Sequence, residues 1–281
     1  MSEISELLLP WYDAHKRSLP WRGTQDPYAV WVSETMLQQT RVVTVLDYFP
    51  RFMQDYPTLQ ALAAAEEAAV LKHWEGLGYY SRARNLHKGA KQVVSQYGGA
   101  LPADVTELQR ISGIGSYTAG AIASIAFGLL VAAVDANVIR VVSRVAGIRE
   151  NVGIPAVRRE LEATAAALVP TLRPGDYNQA LMDLGSAVCV SGTPDCDLCP
   201  LREHCVACAT GTPEELPVLP RKHPPKHIQW DVVLLFSPEG VLMRRRNEAL
   251  LHNLWVYPML EGHTAPQHLP EIIQKRTGLI A

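Results

Sequence analysis

The stretch LQRISGIGSYTAG, residues 108–120, decides the fold of this chain. It predicts a short helix, a tight hairpin containing Gly113 and Gly115, and an alanine-rich second helix that begins near Tyr117. The glycines allow positive φ angles and the close approach of another backbone. Amides of the hairpin and of the second helix's first turn can then hold an anion such as a DNA phosphate. A plain helix C-cap followed by a turn is the alternative reading of any Gly-x-Gly pattern.

Four cysteines farther along the chain are spaced so that they can converge on one centre. They follow the pattern C-x6-C-x2-C-x5-C, at Cys189, Cys196, Cys199 and Cys205. Thiolates select soft metals such as zinc or iron–sulfur clusters. Zinc sites more often contain two CxxC-like pairs, whereas one tight pair flanked by longer arms suits a [4Fe–4S] cluster. Cys208 falls outside the pattern. A disulfide framework is the alternative, but the N-terminus has no signal-peptide features, so we expect a cytoplasmic protein.

Length and composition set the outer bounds. A chain of 281 residues suggests two domains, and its 48% apolar content can build proper cores. No apolar run reaches the ~18–20 residues needed to span a bilayer, so no membrane association is expected. The net charge of -2 does not indicate a nucleic-acid binder, but one face can be basic while the whole chain is neutral.

Most of residues 1–211 is predicted to be helical. The longest pattern has apolar residues at helical spacing from Tyr28 to Phe49. Further helices are predicted at Thr58–His73, Ala83–Tyr97, Asp104–Arg110, Tyr117–Phe127, Ala136–Ala146, Pro155–Leu168 and Tyr177–Val190. Prolines within residues 212–225 then predict a stiff linker. Ile228–Phe236 and Gly240–Arg244 predict two strands of an α+β module, within which the chain is expected to stop because only about fifty residues remain.

Taken in order, these motifs resemble the endonuclease III superfamily of DNA base-excision glycosylases, and most of all its MutY-type adenine glycosylases. Further matching motifs are LPWR (residues 19–22), WVSETMLQQT (31–40), GLGYYSRARNL (76–86) and VDANV (134–138). The resemblance is dense over residues 8–225 and thinner beyond. It implies a mainly α, two-part helix–hairpin–helix core followed by a truncated, Nudix-like α+β module. The implied domains are residues 1–22 plus 134–211 for the cluster domain, 23–133 for a six-helix barrel, 212–227 for a proline-rich linker and 228–281 for the partial Nudix-like domain.

Two carboxyl groups fit the chemistry of base excision. Adenine leaves easily only when an acid protonates one of its ring nitrogens and an anion stabilises the developing sugar cation, as in glycoside hydrolysis. Glu34 has the apolar helical neighbours Val30 and Trp31, and burial beside them would raise its pKa into a useful range. Asp135 precedes a predicted helix, where it can act as an N-cap and stay ionised. An ordinary surface glutamate and a purely structural cap are the alternatives.

The resemblance assigns roles to these and to further side chains. It makes Glu34 the general acid, gives Asp135 cation stabilisation or water activation, and gives Asn137 an orienting role. Bifunctional relatives carry a Schiff-base lysine where this chain has Tyr117, which cannot form an imine, so a monofunctional enzyme is expected. Gln39 and Tyr79 would insert into the duplex after base flipping. The implied adenine pocket contains Arg17, Leu19, Trp21, Arg22 and Gln179, although core packing or a solvated surface is the alternative origin of each.

The implied function is excision of adenine paired with 8-oxoguanine or guanine in double-stranded DNA, by a monomer that carries a [4Fe–4S] cluster and associates with the nucleoid. The tail motif over residues 241–258 resembles the start of the MutY C-terminal domain, which is related to Nudix hydrolases. No Nudix signature helix follows, so no nucleotide hydrolysis is expected, and the loop that reads the oxidised base is expected beyond Ala281. The alternatives are a mismatch thymine glycosylase and a non-catalytic module that binds DNA lesions.

Overall fold

The computed structural model describes residues 3–221, 224–225, 227–248, 254–262 and 265–277. The chain divides into two compact units, Met1–Pro220 and Arg221–Ala281. The fold is mainly helical, as predicted. Its helices are α1 (Glu3–His15), α2 (Pro27–Leu37), α3 (Val42–Asp55), α4 (Leu59–Ala64), α5 (Glu67–His73), α6 (Ser81–Gln96), α7 (Val105–Gln109), α8 (Ser116–Ile125), α9 (Ala136–Ala146), α10 (Pro155–Ala167), α11 (Pro174–Ala187), α12 (Val206–Ala209) and α13 (Leu269–Thr277).

The long helical pattern from Tyr28 to Phe49 is in fact two helices. α2 ends at Leu37 and α3 begins at Val42, and between them Gln39 has a φ of 56°. A single helix was therefore the wrong prediction, because both halves keep the same apolar spacing and the spacing does not reveal a break. The pattern over Thr58–His73 is likewise divided, into α4 and α5.

Helix α1 was not predicted. It contains Pro10 in its interior, a residue that usually ends a helical pattern. Leu8 and Tyr12 are nonetheless almost completely buried, and the helix packs against α11. Tertiary packing of these two side chains therefore outweighs the local cost of the proline.

Two apolar cores organise the helical unit. The first is built mainly by α2 to α8 and includes Trp31 and Trp74, both fully buried. The second is built by α1, α9, α10 and α11. Leu8 from the N-terminal helix belongs to the second core, whereas Trp21 already belongs to the first. The chain thus passes from one core to the other ahead of α2 and returns ahead of α9.

The first part of the expected linker packs against the helical unit. Residues Pro213–Glu215 form a 3-10 turn, and Leu216 is buried. The Val218 carbonyl accepts a hydrogen bond of 3.0 Å from the Val152 amide, and the Leu216 carbonyl accepts one of 3.0 Å from Arg144 Nε. The first residues of the predicted stiff linker, through Val218, thus have apolar and hydrogen-bonding partners in the helical unit.

The second unit contains short antiparallel strand pairs and α13. The strands are β1 (Trp230–Val232), β2 (Phe236–Ser237), β3 (Gly240–Val241), β4 (Arg244–Arg245), β5 (Trp255–Val256) and β6 (Met259–Glu261), paired β1–β6, β2–β3 and β4–β5. The hairpin predicted around residues 237–240 is present, but the strand predicted over Ile228–Phe236 is interrupted. Residues 249–253 of the tail motif, and 278–281, lie outside the described residues. Across the described ranges, no helix is long and apolar enough to cross a membrane.

Candidate active site and nucleic-acid interface

A cavity of about 610 Å³ in the helical unit brings together most of the predicted site residues. Its walls come from α2, α8, the start of α9, α11 and the segment that precedes α2. Residues separated by more than 150 positions in the sequence therefore share one space. The predicted residues in its lining are Arg17, Leu19, Trp21, Arg22, Glu34, Gln39, Tyr117, Asp135, Asn137 and Gln179.

Glu34 is held in the third turn of α2, where its side chain is buried against the first core. The Tyr117 hydroxyl donates a hydrogen bond to its carboxylate. The pKa of Glu34 is raised to about 7, chiefly by burial and also by the negative charge of Asp135, although the Tyr117 hydrogen bond and Arg22 act in the opposite direction. The apolar spacing around Glu34 predicted this direction. Near neutral pH the carboxyl can therefore hold a proton and give it up.

Asp135 caps α9, as the sequence predicts. Its carboxylate accepts a hydrogen bond of 2.7 Å from the Val138 amide and one of 2.8 Å from Asn137 Nδ2. Burial raises the pKa of Asp135, and these hydrogen bonds, which favour the ionised form, oppose the rise. The cap is thus as expected, but burial moves the pKa above the ordinary value of an aspartate. Asn137 in turn accepts 2.8 Å from Arg140 Nη2, so its amide is fixed on both sides.

Tyr117 stands at the start of α8, and burial raises its pKa well above the ordinary value of a tyrosine. It therefore remains a neutral hydroxyl that donates to Glu34. Its oxygen also lies 3.7 Å from Met182 Sδ. Within the described residues that line this cavity there is no lysine.

Asp183 is a site residue that sequence reasoning missed. It is buried on α11 and accepts hydrogen bonds from two arginines, at 2.5 Å from Arg17 Nη2 and at 2.7 and 3.0 Å from the two terminal nitrogens of Arg22. Arg22 also donates to the Tyr12 hydroxyl at 2.9 Å. The paired charges fix both guanidinium groups at the cavity wall. A carboxylate among the apolar neighbours of a helix was the available signal.

Gln39 and Tyr79 lie at a groove of about 270 Å³ that also touches Gly113. Both residues have positive φ angles, 56° and 46°, which side chains other than glycine adopt rarely. The Tyr79 side chain is 61% exposed. Strained backbone at exposed residues is characteristic of functional loops. Gln39 lines both the groove and the cavity, so the two spaces meet at this residue.

The two glycines of the hairpin have different reasons to be there. Gly113 has a φ of 86°, and a Cβ there would lie 3.0 Å from the Cβ of Asn85. Gly115 has a φ of -85°, which any residue adopts, and a Cβ there would meet nothing within 4 Å. The expectation of positive φ and close approach is therefore confirmed for Gly113 and wrong for Gly115. Gly115 instead leaves open space at the start of α8.

The four predicted ligand cysteines line a separate, apolar cavity, together with Cys208. Several thiols accept hydrogen bonds, from the Leu201 amide to Cys199, from the Ala207 and Cys208 amides to Cys205, and from Arg144 Nη1 to Cys189 at 3.3 Å. Such donors favour thiolates, although burial raises the pKa of Cys199 to about 11. In the part of the chain that the structure describes, no three His, Cys, Asp or Glu side chains are grouped as the ligands of a single metal ion would be.

Cys208 and two arginines extend the predicted cysteine site. Cys208 is hydrogen-bonded to Cys196 although it lies outside the sequence pattern. Arg140 Nε donates 2.6 Å to the Cys189 carbonyl, and the same side chain contacts Asn137 at the other cavity. Arg144 is buried and donates 2.8 Å to the Val190 carbonyl. Arg140 and Arg144 lie four positions apart and therefore on one face of α9, and this spacing was the sequence signal for their contacts with the cysteine segment.

Known proteins resemble this chain over most of its length. Residues 32–167 match the model of the HhH-GPD superfamily base excision DNA repair proteins. The adenine DNA glycosylase of Homo sapiens is 49% identical over 209 residues, which are 71% of this chain and 38% of that protein. That of Buchnera aphidicola subsp. Acyrthosiphon pisum is 32% identical over 261 residues, 92% of this chain and 75% of that protein.

One solved structure agrees with these relationships. A thermostable thymine-DNA glycosylase superposes with a TM-score of 0.67 at 27% identity, over 74% of this chain and 95% of that one. The chain spans less than two thirds of the length of the mammalian and plant relatives that it matches, 61% in the case of the Rattus norvegicus protein. The mainly helical fold of the first unit agrees with this kinship. The chain therefore belongs to the adenine DNA glycosylase family.

Proposed function

We propose that this chain is a monofunctional DNA glycosylase that flips out and hydrolyses adenine paired with 8-oxoguanine or guanine in duplex DNA. The observation that carries the proposal is a buried Glu34 with a pKa of about 7, in the same cavity as Asp135. One carboxyl group holds a proton near neutral pH and the other accepts hydrogen bonds that favour its anion. This is the pair that excision of a base requires.

The proposed reaction moves two protons, breaks the bond from the sugar to the base and forms a bond from the sugar to water. Glu34 gives its proton to a ring nitrogen of the extruded adenine, and the bond from the sugar to N9 breaks with its electrons leaving on the base. The carboxylate of Asp135 stabilises the cationic sugar and takes a proton from the water that adds to it. Asn137 holds Asp135 in place. Arg22 and the residues that line the same cavity hold the adenine.

We propose that DNA phosphates approach the open start of α8 near Gly115 and that Gln39 and Tyr79 occupy the space that the flipped base leaves. The absence of a side chain at Gly115 and the exposure of Tyr79 support this arrangement. We expect the protein to act as a monomer on nucleoid DNA in the cytoplasm. Tyr117, in place of a lysine, gives no amine for an imine, so strand cleavage should need added alkali.

The proposed cofactor is a [4Fe–4S] cluster held by Cys189, Cys196, Cys199 and Cys205. The donor set fits, because all four thiols line one apolar cavity and N–H donors reach several of the sulfurs. When bound, the cluster supplies a covalent staple between α11 and α12 rather than chemistry at the base. Purified protein should absorb visible light and contain about four irons per chain. A colourless protein with one zinc per chain would reject this assignment.

We propose that residues 228–281 belong to a Nudix-like module that contributes to recognition of the base opposite adenine. The antiparallel pairs β1–β6 and β2–β3 support an α+β module. Residues 228–281 contain no Nudix signature, so we expect them to contact the DNA and not to hydrolyse nucleotides.

The decisive experiment uses three duplexes, with adenine opposite 8-oxoguanine, adenine opposite guanine and thymine opposite guanine. Each is incubated with the purified chain and analysed with and without alkali. Adenine release followed by alkali-dependent strand breaks is the expected result, and E34Q should bind the duplexes but release no base. Thymine release would instead support a mismatch thymine glycosylase, and binding without release of any base would support a non-catalytic lesion-binding module.

A further inference from the structure

Arg82 is a buried cation in the first turn of α6, within the motif of residues 76–86, and the proposed chemistry gives it no role. Its side chain is 8% exposed. Within the described part of the chain, the hydrogen bonds of its guanidinium group all go to neutral oxygens. Burying a charge without a carboxylate partner is costly, so the hydrogen bonds to these neutral oxygens must offset the cost.

One side of the guanidinium group holds the end of α2. Nη1 lies 3.0 Å from the Thr35 carbonyl and 2.9 Å from the Met36 carbonyl, and it also donates to the carbonyl of Gln38. The last carbonyls of a helix have no partner within the helix, so a cation at this point completes their hydrogen bonding. The next residue is Gln39, whose left-handed backbone turns the chain away from the helix axis.

The other side of the same group holds the loop that precedes α6. Nη2 lies 3.2 Å from the carbonyls of Leu77 and Gly78, and 3.1 Å from Thr40 Oγ1. The following residue is Tyr79, also left-handed, whose ring centre lies 5.7 Å from the Arg82 guanidinium carbon. One planar group thus touches the residues directly before both strained positions.

We propose that Arg82 is a positioning residue that fastens the Gln39 loop to the Tyr79 loop, so that both side chains enter the duplex as one rigid probe. The inference rests on the proposed function, because it assumes that these two side chains meet DNA. Left-handed backbone at a non-glycine residue persists only when its surroundings hold it there. Arg82 supplies that restraint to both loops from a single point, and a fixed spacing lowers the entropic cost of insertion.

Lysine cannot replace this group. An ammonium donates three hydrogen bonds from one nitrogen, whereas the guanidinium plane presents donors to both loops at once. R82K therefore keeps the charge and removes the bridge, and R82M removes both. The matched control is R51K, because Arg51 is exposed on α3, where it donates 2.7 Å to the Asp47 carbonyl and touches neither loop in the described contacts.

The first test needs no DNA. Hydrogen exchange of free R82K should accelerate about tenfold or more at amides 38–41 and 77–81, because the local opening that exposes them no longer breaks charge-assisted hydrogen bonds. Exchange elsewhere, and throughout R51K, should stay within about twofold of the wild type. Unchanged exchange at both loops in R82K would overturn the proposal. Loss of the folded state in both R82K and R82M would also overturn it, because Arg82 would then be a determinant of global stability.

The second test measures insertion with 2-aminopurine in place of the adenine opposite 8-oxoguanine, since this base brightens when it leaves the stack. R82K should lose most of the increase in fluorescence, and its affinity for this duplex should fall about tenfold. Its affinity for an undamaged duplex should stay within about twofold of the wild-type affinity. In a Q39A/Y79A background, R82K should have no further effect. Equal losses on both duplexes would reject positioning. Wild-type protein that brightens the probe yet releases no adenine would reject the proposed function and leave this inference standing.

Discussion

Glu34 shows how one buried carboxyl group connects stability with activity. Its folded-state pKa of about 7 lies above the ordinary 4.5, chiefly because burial disfavours the anion. Between these two values the folded chain holds a proton that the unfolded chain has lost. The free energy of unfolding therefore falls as the pH rises from 4.5 to 7, and the loss is complete above 7. The residue that would supply the proton for catalysis thus weakens the fold at alkaline pH.

Replacing Glu34 by glutamine should remove this dependence. The quantity to compare is the unfolding free energy of E34Q minus that of the wild type. This difference should be on the order of 2–3 kcal/mol larger at pH 8 than at pH 5. Urea unfolding at both pH values measures the effect, and E203Q, at an exposed glutamate, is the control. A constant difference between E34Q and the wild type across this range would refute the assignment of the raised pKa.

The Tyr117 hydroxyl should set the alkaline limit of base release. Activity is expected to fall as the pH rises through about 7, because Glu34 then loses the proton that the proposed mechanism needs. The Tyr117 hydrogen bond favours the carboxylate, so Y117F should move this limb to higher pH. Single-turnover rates from pH 5 to 9 give the profile. The control is Y177F, because Tyr177 is buried in the second core, outside the cavity, and its profile should match the wild type. A limb that stays in place in Y117F would contradict the proposed coupling.

At the scale of elements, the sequence predicted most helices and failed where tertiary contacts decide the outcome. The apolar spacing through residues 28–49 continues across the break after Leu37, where the last carbonyls of α2 accept hydrogen bonds from Arg82, 45 positions beyond Leu37 along the chain. The Glu34 environment could be predicted because its apolar neighbours are local. The burial of Asp183 had a local signal in its apolar helical neighbours, but its pairing with Arg17 and Arg22 had none, because these partners lie more than 160 positions away.

The two glycines of the hairpin provide a matched pair. G113A forces a side chain into a left-handed backbone position and against Asn85, and should cost about 1–2 kcal/mol of unfolding free energy. G115A meets neither obstacle and should stay within about 0.5 kcal/mol of the wild type. If phosphates approach this face, G115A should still weaken duplex binding at fixed salt. G113A should therefore lose more stability in urea unfolding than G115A. G115A should lose more duplex affinity than its small loss of stability explains.

At the scale of the whole molecule, all of the proposed catalytic and ligand residues lie in the unit that ends at Pro220. This unit also contains both helical cores. A chain shortened to residues 1–220 should therefore keep its helical circular dichroism and release adenine opposite guanine within about tenfold of the full rate. The preference for 8-oxoguanine over guanine should decrease if the second unit reads the opposite base. Loss of all base release in a folded, iron-containing fragment would place a missing catalytic contribution after Pro220.

The short distance along the chain between Glu34 and Gln39 has a consequence for mutational tolerance. Glu34, the proposed proton donor, and Gln39, the proposed inserting residue, are joined by little more than one helical turn, which ends at a break in the helix. Adding or deleting one residue there would rotate one end against the other by about 100° and shift it by about 1.5 Å. The length of this segment therefore fixes the spacing between Glu34 and Gln39, and the segment should tolerate changes of side chain better than changes of length. In a library of single-codon insertions and deletions, variants changed within residues 34–39 should be depleted after selection for repair. Variants changed in the exposed turn at residues 237–240 should be retained.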